Sequence, residues 1–121
     1  MRVLLCDDTA ELRALLRHAL ESEGAEIVGD VGDGDAAVQL AADERPDVVV
    51  LDLEMPGPDP QALLIALRDA APDAALVTFS GHEPAAVAGA AVADIALHVP
   101  KTTELTAAAR AVGTLGSRLR A

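Results

Sequence analysis

The sequence predicts a doubly wound α/β sandwich, with five parallel strands and five helices packed on the two faces of the sheet. Three observations carry this. Apolar, β-branched segments alternate with amphipathic ones along the whole chain. Val48-Val49-Val50-Leu51 runs without a polar break and stops at Asp52, as a strand buried on both faces does. Arg2-Val3-Leu4-Leu5-Cys6 is a second such strand and stops at Asp7-Asp8. Ligands of open α/β sheets bind at the carboxyl ends of the strands, so three carboxylates at two strand ends face a crevice rather than the core.

Composition bounds the alternatives. At 121 residues, 51% of them hydrophobic, the chain is one globular domain. It has one Phe and no Tyr or Trp, so its core is built from Ala, Val, Leu and Ile. Nine basic against 20 acidic residues give a net charge of −11, which disfavours direct nucleic-acid binding and an anionic membrane surface. The single cysteine, Cys6, lies in a strand and reads as a small buried hydrophobe in a reducing cytosol. A strand at the very start leaves no signal peptide in view, and no apolar run approaches the roughly 20 residues of a membrane span.

The elements follow in order. Thr9 is placed to cap a first helix whose buried face is Leu12, Leu15, Leu16, Ala19 and Leu20, ended by Gly24. Glu26–Val31 is a weaker strand, Gly32–Asp35 a turn and cap, and Ala36–Glu44 a short helix with Val38 and Ala41 inward. After Asp52, prolines at 56, 58 and 60 stiffen a loop, and Asp59-Pro60 caps and opens a third helix with Leu63, Leu64 and Leu67 buried. Ala74–Phe79 is the fourth strand, ending at Ser80-Gly81. An alanine-rich helix is expected over about 84–91, and Ile95–Val99 is the fifth strand, ending at Pro100-Lys101. Thr102 or Thr103 caps a last helix through about Val112, leaving 113–121 as a tail, a frayed helix end or a linker stump.

The acidic pair in LLCDD, the aspartate in VVVLDLEMPG, the hydroxyl in LVTFSG and the lysine in HVPKT stand in one order at successive strand ends. This pattern resembles the receiver domain of bacterial response regulators, over residues 4 to about 112. The resemblance implies the flavodoxin-like receiver fold, strand order 2-1-3-4-5, and a site where the first and third strands diverge. It implies that Asp52 accepts a phosphoryl group from a sensor histidine kinase or phosphotransfer protein. Asp8 and Asp52, with the Glu54 carbonyl, would bind Mg²⁺ directly and Asp7 through water. Lys101 and Ser80 would contact the phosphoryl group, and Ser80 would carry the signal to a downstream protein at the face of the fourth helix, fifth strand and fifth helix. The resemblance further implies a domain that supports its own phosphotransfer and dephosphorylation and is otherwise no enzyme. It is expected in the cytoplasm, with homodimerisation left open.

The chain departs from the family pattern in several places. His98 stands where relatives carry an aromatic switch residue, three before the lysine. Pro100 precedes Lys101 and Thr102 follows it, as in receivers of LuxR/NarL-type transcription regulators. Glu54 and His82, two after Asp52 and Ser80, occupy positions that tune dephosphorylation in relatives or else face solvent. Besides a stand-alone receiver (residues 1–112), two readings stay open: the receiver half of a DNA-binding regulator, and a scaffold that works without phosphorylation. A small-molecule enzyme is least favoured, since no Gly-rich loop or His-based triad is present.

Overall fold

The structure is a computed structural model that describes residues 1–55, 59–81 and 89–120. Its elements are β1 (Arg2–Cys6), α1 (Ala10–Ser22), β2 (Glu26–Val31), α2 (Gly34–Glu44), β3 (Val48–Asp52), α3 (Pro60–Ala70), β4 (Ala75–Ser80), a 3₁₀ segment (Gly89–Asp94), β5 (Ile95–Pro100) and α4 (Leu105–Arg120). The strands form one parallel sheet in the order β2-β1-β3-β4-β5.

The sheet separates two cores, because successive strand residues point to opposite faces. Leu4, Cys6, Val49, Leu51 and Leu76 pack beneath α2 and α3 against Ala37, Ala41, Leu64 and Leu67. Val3, Leu5, Val48, Val50, Val77 and Phe79 pack beneath α1 and α4 against Leu16, Leu20, Ala108 and Val112. β3 is buried at every position, which is why its sequence shows no polar alternation.

Several expectations are corrected. The described residues hold four α-helices rather than five. Residues 82–88 lie outside the described residues, and the remainder of the expected fourth helix is the 3₁₀ segment Gly89–Asp94. Leu15 is 59% exposed. Adjacent helical residues point about 100° apart, so with Leu16 aimed at the sheet, Leu15 falls off the buried stripe. Thr9 is the N-cap of α1 but makes no side-chain cap bond, its backbone N–H donating instead to Asp7 Oδ1 at 2.8 Å. By contrast, Asp59 caps α3 as expected, accepting from Ala62 N–H, and within the expected Gly32–Asp35 turn it is Asp33 that caps α2, accepting from Ala36 N–H, so that the helix starts at Gly34 rather than Ala36. Neither Thr102 nor Thr103 directly precedes α4, which starts at Leu105 and continues to Arg120. Its Gly116 serves close approach: a Cβ there would stand 2.1 Å from Met1 Sδ.

Cys6 is buried, and burial, with the nearby charges of Asp33, Asp7 and Asp52, pushes its thiol up to about 12. Thiolate is the reactive form. Iodoacetamide at pH 8 is therefore expected to leave the folded chain unmodified and to label Cys6 fully in denaturant, as intact mass will read.

Candidate functional site

Strand register assembles the site. Cys6 is level with Leu51 across β1 and β3, so the next residues, Asp7 and Asp52, emerge together at the carboxyl edge. Asp52 is level with Phe79 on β4, and Ser80 with Pro100 on β5. Lys101 N–H then donates to the Ser80 carbonyl at 3.0 Å, fixing the lysine beside the serine. Four strand ends thus deliver the acidic pair, the aspartate, the hydroxyl and the ammonium to one place, as the sequence motifs require.

Asp7, Asp8 and Asp52 each offer a carboxylate oxygen, and these oxygens lie within 4.8 Å of one another. Asp7 and Asp52 are buried and Asp8 is exposed. Asp52 Oδ1 accepts from Glu54 N–H at 2.8 Å and lies 3.1 Å from Lys101 Nζ. Asp52 Oδ2 and Asp7 Oδ2 are buried with no hydrogen-bond partner. An orphaned buried carboxylate oxygen is costly, and two beside a third carboxylate are the donor set of a hard divalent cation. The residues therefore fit Mg²⁺. Burial holds the Asp7 carboxyl above its usual range; the Thr9 N–H and Lys101 oppose this, and the charges of Asp52 and Asp8 add to it.

Glu54 extends the charge network. Its Oε1 accepts from Ser80 Oγ at 3.0 Å and from Gly81 N–H at 2.8 Å, and its Oε2 lies 3.3 Å from Lys101 Nζ. Desolvation works against the charged carboxylate, but the bonds from Gly81, Ser80 and Lys101 together outweigh it and hold the Glu54 carboxyl low. Desolvation likewise opposes the Lys101 ammonium, and its contacts with Asp52 and Glu54 raise it overall.

His98 does not join this cluster. It sits half-buried on β5, its Nδ1 2.8 Å from the hydroxyl of the fully buried Thr78. The ring thus rests against its cross-strand neighbour rather than on the acidic centre. His82 lies outside the described residues. Sequence reasoning missed Arg13, which donates to the Asp7 carbonyl and pairs with Asp30 on β2, tying α1 to the strand end. Its signal was slight, one charged residue on a face expected to meet water.

An acidic, lysine-flanked centre at the divergence of β1 and β3 defines a doubly wound α/β protein with its site at the topological switch point of the sheet. The chain belongs to the response regulator receiver domain family of two-component systems, whose sequence profile matches residues 3–112. It is 39% identical to the transcriptional regulatory protein PdtaR of Mycobacterium tuberculosis, over 98% of this chain and 66% of that protein. It is 42% identical to protein-glutamate methylesterase/protein-glutamine glutaminase 5 of Myxococcus xanthus, over 87% of this chain but 31% of that protein. Among solved structures, it superposes on the signal receiver domain of the response regulator NarL of M. tuberculosis with TM-score 0.83 and 30% identity, covering 96% of this chain and 95% of that one. The chain thus spans about two thirds of one of these curated relatives and a third of the other. Among the described residues, no helix is long and apolar enough to cross a membrane.

The two orphaned oxygens make metal-free stability a readout of the site. Asp7→Asn removes a buried charge held at a cost. In EDTA its melting temperature is expected to exceed the parent's, by the equivalent of about 1–3 kcal/mol for a relieved buried group. Added Mg²⁺ should stabilise the parent more than the variant, which keeps the direct ligands but lacks the charge behind them. A variant that melts lower in EDTA would show that Asp7 is held by partners other than a cation.

Proposed function

We propose that this chain is a phosphorylatable receiver that takes a phosphoryl group onto Asp52 from a sensor histidine kinase or phosphotransfer protein. The observation that carries the reading is the state of the Asp52 carboxylate, clamped through Oδ1 by Lys101 and the Glu54 N–H while Oδ2 is buried without a hydrogen-bond partner. An Asp52 oxygen attacks phosphorus in line with the phosphohistidine nitrogen. The P–O bond forms as the P–N bond breaks, and the imidazole leaves with a proton from solvent, giving an aspartyl phosphate. Mg²⁺ held by Asp8, Asp52 and the Glu54 carbonyl, with Asp7 behind them, would neutralise charge on the phosphoryl oxygens.

Lys101 orients the acceptor beforehand and stays beside the transferred group. Ser80 donates its hydroxyl to a phosphoryl oxygen, and its shift carries the change to the face of the 3₁₀ segment, β5 and α4, where a downstream protein binds. His98, on β5 against Thr78, is the switch residue on that face. The protein works in the cytoplasm. Intact-mass spectrometry after acetyl phosphate and Mg²⁺ tests the reading: one added phosphoryl group is expected, with none in EDTA. No added group with Mg²⁺ present would overturn it in favour of a phosphorylation-independent scaffold.

A second reading, the receiver part of a longer transcription regulator, is favoured by the likeness to PdtaR and to the NarL receiver. A native protein in source cells larger than 12.4 kDa, detected by immunoblot, would support it.

A further inference from the structure

The donors that the phosphoryl group needs are already taken by an anion of the chain itself. Ser80 Oγ, Gly81 N–H and Lys101 Nζ converge on the carboxylate of Glu54 at 3.0, 2.8 and 3.3 Å. The same lysine reaches Asp52 Oδ1 at 3.1 Å, so the Glu54 carboxylate lies beside the acceptor, on the side where an added group would meet hydroxyl, amide and ammonium. The fit is close on the backbone side too. A Cβ at Gly81 would stand 3.1 Å from Glu54 Oε1, so glycine at this position lets the loop approach the carboxylate.

We propose that Glu54 is an internal stand-in for the phosphoryl group, an autoinhibitory carboxylate that holds the anion cradle until an incoming phosphoryl group displaces it. This deepens the receiver reading and rests on it. Three charge-assisted or backbone bonds favour the Glu54-in state, and a phosphoryl group wins them only by expelling the side chain. The exchange is direct competition: every donor gained by phosphate is lost by Glu54. Glu54 has somewhere to go, since the residue is exposed to solvent. Two consequences follow. The phosphoryl group binds more weakly than the cradle alone would allow, and the Ser80 hydroxyl stays on Glu54 until that group arrives.

The test uses beryllofluoride with Mg²⁺, which mimics a phosphoryl group on an aspartate. Glu54→Gln keeps the side chain's size and removes its charge. It should bind beryllofluoride about tenfold more tightly than the parent, the equivalent of one displaced charge-assisted contact. Glu104→Gln, which removes an exposed carboxylate elsewhere, should bind as the parent does. In the parent, the Glu54 side-chain carboxyl ¹³C resonance should move to the position of a solvated glutamate as beryllofluoride saturates the site. Equal affinity of Glu54→Gln and parent, an equal gain in Glu104→Gln, or an unmoved Glu54 resonance would each overturn the inference while leaving the receiver reading intact. Beryllofluoride binding that survives in Asp52→Asn would overturn the receiver reading and the inference together.

Discussion

Asp52→Asn is expected to gain no mass when treated with acetyl phosphate and Mg²⁺ under conditions in which the parent gains one phosphoryl group. The substitution is close to isosteric. The asparagine carbonyl can still accept from Glu54 N–H at the position of Oδ1, 2.8 Å away in the parent, so the loop after β3 keeps its anchor. An amide has no anionic oxygen to attack phosphorus, and no other carboxylate in the site is clamped by Lys101 beside an orphaned buried oxygen. The loss should therefore be complete rather than graded. The variant should stay folded, because removing one of three adjacent carboxylates also relieves repulsion. Labelling of the asparagine variant at the parent's level would move the acceptor to another residue.

Lys101→Ala is expected to lower the melting temperature sharply in EDTA. The ammonium lies between two carboxylates, Asp52 and Glu54, and the Asp52 side chain is 1% exposed. Removing one partner of a buried ion pair costs about 3–5 kcal/mol. The Lys101 side chain is itself 27% exposed, so solvent recovers part of that and the expected loss is about 2 kcal/mol. For a domain of this size that is a fall of roughly 5–15 °C. Mg²⁺ should restore more stability to the variant than it adds to the parent, because it supplies the positive charge the variant lacks. The ammonium's pKa is raised in the fold, so its contribution is present below the unfolded value of 10.5 and fades only as pH rises through the folded value. The gap between parent and variant should accordingly persist at neutral pH and close in strong alkali. An unchanged melting temperature in EDTA would mean that Asp52 does not depend on the lysine.

The strands and the strand-end residues were legible because a doubly covered parallel sheet leaves a simple trace. Every residue of Val48–Asp52 is buried, so an unbroken apolar run ending in a carboxylate marks both a strand and the edge where chemistry sits. The capping aspartate Asp59 was legible for a local reason: its partner lies three residues away. What escaped was set by distant neighbours. The last helix was expected to stop near Val112, yet α4 runs on to Arg120, and its Gly116 lies where Met1 packs against the helix, a contact across nearly the full length of the chain. Leu15 looked like core because its spacing suits a wide stripe, while the surface that α1 covers is narrower. Most important for the site, Glu54 read as a modulator or a solvent-facing loop residue. Its bonds to Ser80, Gly81 and Lys101 join segments far apart in sequence, and no local pattern announces them.

The strand order has a consequence for when the site comes into being. No two neighbouring strands can close as a hairpin, because every pairing is parallel and needs a crossover. β1 is paired on one side with β2 but must wait for β3 on the other, and Lys101 arrives only when β5 has docked on β4 at the far edge. Sheets of this kind gain their contacts late and fold more slowly than structures built from local contacts. The acidic pair, the acceptor, the hydroxyl and the lysine each hang from a different strand, so no partly folded chain holds all of them. Reactivity toward a phosphodonor is thereby confined to molecules that have finished folding, and the chemistry of Asp52 doubles as a check that the whole sheet is in place.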